Sequence, residues 1–242
     1  MSLLLSIVVP MYHDQAKIGS TIESLADLIK INSWEAELII INDGGSDVGV
    51  AIVEEKMKKI PFLRLITRSK NRGKGYTVRE GITAATGDYI FFTDADLPYL
   101  TEPIKKMLNV MKSGEADMVL VNRDLPPKID HEQPAWPRLI THAIYSHFVR
   151  FFIPFNFSDT LAGLKGMRRE VAYRVLPKLT IDRFSFDVEL LLAAQIAGFK
   201  IKELPASLKN VGKSNLNIRR DAPKMIKEIL QIWWQHKKKR YQ

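Results

Sequence analysis

Two aspartates, Asp94 and Asp96, stand one residue apart at the end of the run YIFFTDADLPYL. Tyr89 to Phe92 have the apolar character of a buried strand, so the acids are carried to a strand end. On an extended segment their Cα atoms lie roughly 6.7 Å apart, at about 3.3 Å per residue, with both carboxylates on one side. Such a pair can share a hard divalent ion, Mg2+ or Mn2+, which takes oxygen ligands and keeps positions open for substrate phosphates. The same residues also read as solvated loop aspartates capping the next helix, and D-x-D spacing alone does not separate the two.

Three further segments carry chemistry-bearing residues. NRGKG, Asn71 to Gly75, sets two glycines around Lys74, a composition that lets backbone N–H groups and an ammonium approach phosphate. It lacks P-loop spacing and also reads as an ordinary turn before a helix. INDGGSD, Ile41 to Asp47, suits either hydrogen bonds to a ribose or base or an Asx turn with a helix cap. DRFSFDVELL, Asp182 to Leu191, places Asp187 and Glu189 near a helix start, where a carboxylate can act as a general base, orient an acceptor or cap the helix.

The elements that position these residues follow a βα rhythm. Ser6 to Val9, Leu38 to Ile41, Leu63 to Ile66, Tyr89 to Thr93 and Met118 to Val121 read as strands. Helices are predicted from Ile18 to Ile29 and over 48–59, 74–85 and 101–113. This alternation predicts an α/β fold, a Rossmann-like, mainly parallel sheet flanked by helices on both faces. Ligands of such sheets bind at the carboxyl ends of the strands, where five polar loops converge here. Beyond residue 122 the pattern loosens: 122–137 reads as a surface loop, followed by helices over 138–157, cut by Pro154, over 185–197, and over 222–236 with Pro223 in the first turn.

In order, VVPMYHD, INDGGSD, NRGKG, DYIFFTDADL, SDTLAGLKG and FSFDVELL resemble the motif set of glycosyltransferase family 2 enzymes with the A-type fold. The nearest branch is the polyprenyl-phosphate hexose synthases, the dolichyl-phosphate glucosyltransferase and mannosyltransferase group, and the resemblance covers almost the whole chain. It implies a catalytic domain over 1–218, with a nucleotide-sugar half (1–121) and an acceptor half (122–218), and a basic amphipathic tail over 219–242. It further implies that Pro10, Tyr12 and Asp14 line the nucleoside pocket and that Asn42 and Asp43 contact base or ribose. Lys74 then lies near the donor, a UDP- or GDP-hexose, whose diphosphate Asp94 and Asp96 hold through Mg2+ or Mn2+. Two positions depart from the family pattern: Asp14 stands where Glu is usual, and Asn42 where a second Asp is usual.

The acceptor implied by that branch is a polyprenyl phosphate, already ionised at neutral pH, for which Asp187 need not act as base and can orient the acceptor, stabilise a loop or bind a sugar hydroxyl. Arg123 matches a family arginine that screens the repulsion between acceptor phosphate and donor diphosphate. Arg138, Arg168 and Lys213 are further cations, and Lys165 lies inside SDTLAGLKG without an assigned task. A saccharide hydroxyl is the alternative acceptor and requires Asp187 or a neighbour as base.

Of the net charge of +9, residues 219–242 supply +6. Ile226, Ile229, Leu230 and Trp233 recur at helical spacing there, with Trp234 and a basic end, which suits a helix lying on an anionic membrane surface. His142 to Phe157 is a second aromatic stretch for lipid contact or for the core. Nucleic-acid binding through the tail is disfavoured, since its basic residues alternate with an apolar face and the cleft motifs are acidic. With no cysteine, disulfides and thiolate chemistry are excluded, and no apolar run is long enough to span a bilayer. The expectation is a cytoplasmic protein held peripherally at the membrane, alone or with a membrane protein partner.

Overall fold

Strands that are covered on both faces become apolar along their length, and the central strands of this chain show why. In the computed structural model, which describes residues 4–45, 47–96, 102–122, 125, 145–155, 157, 159–160, 162–205 and 218–242, alternate strand residues feed two separate cores. Ile7, Val9, Leu38, Ile40, Phe91 and Val119 face one cluster, while Val8, Ile39, Ile41, Ile90, Phe92 and Leu120 face the other. A period of two divided between two cores makes the strand middles apolar on both faces and leaves buried polar residues to the strand ends.

The strands are β1 (Leu5–Met11), β2 (Ala36–Asp43), β3 (Leu63–Arg68), β4 (Tyr89–Phe92), β5 (Met118–Asn122), β6 (Lys165–Arg168) and β7 (Ile201–Pro205). They form one sheet in the order β3-β2-β1-β4-β6-β5-β7, parallel except for β6, which runs antiparallel to both neighbours. Helices α1 (Ile18–Ile31), α2 (Asp47–Met57) and α4 (Glu102–Lys112) line the first core. The second is covered by α3 (Lys74–Ala84), a helix described over 145–152 (α5), α6 (Arg169–Val175), α7 (Phe186–Ile196) and α8 (Ile218–Lys237). A 3-10 turn, Leu176–Lys178, follows α6.

The five predicted strands and the first four helices are present with ends shifted by one or two residues. Two strands were not expected. β6 inserts between β4 and β5, so the 1–121 and 122–218 halves share a single sheet. β7 forms an edge beside β5. Helix α8 begins at Ile218 and carries Pro223 in its interior, not in its first turn. It is no appendage, because Ile229, Ile232 and the following Tyr241 belong to the second core.

At the edge away from the loops, Glu37 accepts hydrogen bonds from Ser6 Oγ (2.7 Å), Thr86 N (2.6 Å) and Thr86 Oγ1 (2.7 Å) and pairs with Arg64. Burial alone raises its pKa, but these donors outweigh it and hold the carboxyl below the ordinary range.

Candidate active site

The sheet order reverses between β1 and β4: β2 and β3 lie to one side of β1, and β4 to the other. A crevice opens at such a switch point beyond the carboxyl ends of the strands. The loops after β1 and β4 flank it. Because β6 is antiparallel, the segment entering it, 162–164, reaches the same edge.

Asp94 and Asp96 lie on this edge. The strand stops at Phe92, and Ala95 and Asp96 form a turn in place of the extended segment the sequence suggests. Helix α1 grips the turn from one side, with Thr21 Oγ1 donating to Ala95 O (2.7 Å) and Lys17 Nζ lying 3.5 Å from Asp96 Oδ2. On the other side Lys74 Nζ lies 2.7 Å from Asp94 Oδ1. The buried hydroxyl of Thr93, at the base of the turn, has no hydrogen-bond partner among the described residues.

Gly163 explains how closely the motif SDTLAGLKG meets this turn. A Cβ at that position would overlap Asp94 Oδ2 and approach within 2.6 Å of Asp94 Cγ. Gly163→Ala is therefore expected to turn the Asp94 carboxylate aside and weaken Mn2+ binding at least tenfold, with the melting temperature changed by a few degrees. Isothermal titration with Mn2+ and a nucleoside diphosphate checks this; an unaltered affinity would mean that Asp94 does not need the space Gly163 leaves.

The NRGKG turn is fixed from β2. Asp43, buried, accepts from Arg68 Nη2 (2.7 Å), Asn71 Nδ2 (3.0 Å), Arg72 N (2.8 Å) and Gly73 N (2.9 Å). Four donors occupy a carboxylate that was expected to contact base or ribose; here it shapes the loop carrying Lys74. Asn42 is also engaged within the protein, accepting from Gly45 N (3.0 Å) and donating to Thr67 Oγ1 (3.2 Å). Asp14 accepts from Tyr12 N (3.0 Å) and so shapes the turn after β1, where Tyr12 is exposed with its ring centroid 4.2 Å from that of His13. Pro10, half-buried, lies beside Ile41 in the sheet.

Of the roles open to Asp187, the structure favours the stabilising one over the general base. Its side chain is 3% exposed and ion-paired with Lys165 Nζ at 2.7 Å; Lys165 is fully buried and also donates to Ala162 O (2.6 Å). Burial pushes the Lys165 ammonium below the ordinary lysine pKa, Asp187 pulls it back, and Lys74 adds a further push down. A carboxylate enclosed in this way is poorly placed to take a proton from an acceptor. The pair instead holds the N-terminal turn of α7 to the segment that brings Gly163 against Asp94, which gives Lys165 the task the sequence left open. Glu189, the other acid of that motif, points away into a separate buried network with Thr180 and Tyr241.

Arg123, Arg138 and Lys213 lie outside the described residues. Arg168 is at the opposite edge of the sheet, paired in register with Tyr89 and 3.6 Å from Asp117, and cannot screen an acceptor phosphate. His142 is outside the described residues, and His147 is exposed on α5.

Among the described residues no cluster of three or more His, Cys, Asp or Glu forms a ready-made metal cage. The oxygen-only donors Asp94 and Asp96 still fit a hard divalent cation, since each already draws an ammonium group to its carboxylate. A site with two protein carboxylates leaves the remaining positions to substrate phosphate and water, as such ions prefer.

On α8 the apolar face divides. Met225, Ile229 and Ile232 are buried, whereas Ile226 (43%), Leu230 (41%) and Trp234 (53%) form an outer stripe at spacings of four, with Lys238 Nζ 3.6 Å from the Trp234 ring centroid. The lipid-facing set expected from the sequence is thus corrected: Ile229 belongs to the core, and Trp234, not Trp233, completes the exposed stripe. Trp233 packs edge-on against Phe152 of α5. No helix among the described residues is long and apolar enough to cross a membrane.

Comparison with known proteins gives a consistent grouping. The family model "Glycosyl transferase family 2" matches residues 6–176. Dolichyl-phosphate beta-glucosyltransferase of Dictyostelium discoideum is 28% identical over 96% of this chain and 74% of its own length, and the Homo sapiens protein of the same name is 30% identical over 88% and 69%. Among solved structures, glucosyl-3-phosphoglycerate synthase of Mycobacterium tuberculosis in complex with Mn2+, uridine-diphosphate and glucosyl-3-phosphoglycerate superposes with a TM-score of 0.66 at 16% identity, covering 95% of this chain and 78% of that one.

Proposed function

The chain belongs to glycosyltransferase family 2, and from that premise we propose that it transfers glucose, with inversion, from a nucleoside diphosphate glucose to a polyprenyl phosphate at a membrane surface. The hexose and acceptor follow the dolichyl-phosphate beta-glucosyltransferases it resembles. The observation that carries the acceptor class is the enclosure of Asp187 by Lys165. A saccharide hydroxyl must lose a proton as it attacks, whereas a phosphate oxygen attacks without a base.

In the reaction an acceptor phosphate oxygen forms a bond to the anomeric carbon as the bond from that carbon to the diphosphate oxygen breaks. The electron pair leaves with the nucleoside diphosphate. Asp94 and Asp96 would hold Mg2+ or Mn2+, which when bound supplies positive charge to the departing diphosphate. Lys74 adds a cation on the same side. Tyr12 offers an exposed ring to the nucleoside, and Asp14, Asn42 and Asp43 fix the turns around it. Arg123 is the candidate for screening the acceptor phosphate.

The outer stripe of α8, edged by Lys227, Lys237 and Lys238, suits the interface of an anionic bilayer, where the acceptor's lipid resides. On this reading the protein is peripheral to the cytoplasmic membrane face, alone or with a membrane protein partner. The test is to supply UDP- and GDP-sugars, Mn2+ and polyprenyl phosphate in neutral or anionic vesicles. A glucosyl lipid from UDP-glucose, formed several-fold faster on anionic vesicles, is expected. No lipid-linked sugar from any donor would sink the acceptor assignment, and equal rates on both vesicles would sink the role of the basic face.

A further inference from the structure

Beyond α8 the chain turns back at Lys239, which adopts a left-handed backbone (φ 58°). The turn delivers Tyr241 into the second core, with its side chain fully buried. Its hydroxyl donates to Glu189 Oε1 (2.8 Å) and lies 2.7 Å from the side-chain oxygen of Gln235. Its carbonyl accepts from Lys178 Nζ (2.8 Å), and Arg240 Nε donates to Lys178 O (3.3 Å).

Glu189 is itself fully buried and has no ion-pair partner among the described residues. It is satisfied by Thr180 N (2.9 Å), Ile181 N (2.8 Å), Thr180 Oγ1 (3.0 Å) and the Tyr241 hydroxyl. A buried anion with only neutral donors depends on each of them. Two of the four come from the backbone of a strap, residues 179–183.

That strap is the seat of the donor-side turn. Tyr76 N donates to Asp182 O (3.0 Å), and Arg79 reaches Leu179 O (3.2 Å) and the Asp182 carboxylate. A Cβ on Gly73 would come within 2.5 Å of Asp182 O, and one on Gly75 within 2.8 Å of Ile181 O. Both glycines flank Lys74, whose ammonium reaches Asp94. The turn lies against the strap's backbone carbonyls, with Phe186 Cβ also packed on Gly75, so a shift of the strap moves the turn with it.

We propose that Tyr241 and Glu189 form a latch that sets the position of Lys74, and hence donor affinity, from the far end of the C-terminal helix. Both are positioning residues; neither touches the donor. The proposal rests on reading the Lys74 and Asp94 pair as the diphosphate site. Because Tyr241 and Gln235 move with the end of α8, the placement of this helix bears on donor binding.

Tyr241→Phe keeps the ring and removes the hydroxyl. The expected result is a rise of about five- to tenfold in the dissociation constant for UDP-glucose with Mn2+, and in donor KM, with kcat at saturating donor within twofold. Thr180→Val, which removes the hydroxyl between Glu189 and Gln235, should act in the same direction and stands in if the first variant is poorly folded. Met111→Ala, a buried truncation on α4 remote from the strap, is the control for general destabilisation. Donor affinity lowered in the latch variants, and not in a control of matching melting temperature, supports the latch. Unchanged donor affinity in both latch variants overturns it. Wild-type protein that binds no nucleotide sugar would instead overturn the functional reading beneath it.

Discussion

Asp94→Asn is expected to reduce glucosyl transfer by about a thousandfold, corresponding to about 4 kcal/mol of lost stabilisation of the departing diphosphate. On the proposed reading the carboxylate is one of two that hold the cation, and Lys74 Nζ lies 2.7 Å from it. The amide keeps the shape and removes the charge. Since the Asp94 side chain is a third exposed, the fold should survive, with the melting temperature lowered by no more than a few degrees. Two measurements separate a metal role from a structural one. Mn2+ binding in the presence of nucleoside diphosphate, followed by electron paramagnetic resonance, should weaken together with turnover, and Asp96→Asn should behave alike. Turnover within tenfold of wild type would remove Asp94 from the chemistry.

The second large effect is on stability. Lys165→Met leaves Asp187 buried without its cation, and truncating one member of a buried ion pair costs about 3–5 kcal/mol. Denaturant unfolding should register that loss. Pairing the change with Asp187→Leu should restore much of it, since two apolar groups leave no buried charge uncompensated. The double variant should nonetheless transfer glucose slowly, because the segment carrying Gly163 loses the Ala162 O bond and the anchor to α7. A single variant as stable as wild type would show that the pair contributes little to the fold, and single and double variants of equal stability would show that Asp187 without its cation carries no cost.

Strands β1, β2, β4 and β5 were legible because each carries an apolar run, IVV, LIII, YIFF or MVLV, the pattern a strand acquires when both faces are covered, whereas β3, LRLITR at the sheet edge, mixes apolar with polar residues. β6 was not. Its sequence, KGMR, is short and opens with a lysine that no local rule would bury. The residue that makes this burial possible, Asp187, arrives 22 positions later and meets it only through the tertiary fold. β7 was missed because an edge strand of half-exposed residues, IKELP, has no strong periodicity.

The acids at the end of β4 were legible for the same reason as the strand, since charge ending an apolar run is a local signal. The division of labour among the other carboxylates was not. Asp43, Asp187 and Glu189 look alike in sequence as candidates for ligand contact, yet Asp43 holds a loop, Asp187 answers a buried lysine and Glu189 anchors a strap. On α8 the apolar positions extend around more than half of the helix, so spacing revealed amphipathicity without indicating which stripe faces the protein.

The position of β6 has a consequence for the order of assembly. During synthesis β1 to β4 emerge first and can pair, but the outer edge of β4 stays open until residues 165–168 leave the ribosome. β5 cannot close that edge, because in the finished sheet it touches β6 and not β4. The strand that joins the two halves is thus the sixth of seven to be made, and the segment just before it seats Gly163 against Asp94. A nascent chain therefore holds the loops after β1 to β4 before the crevice has its far wall, and it acquires that wall in the same step that seals the sheet.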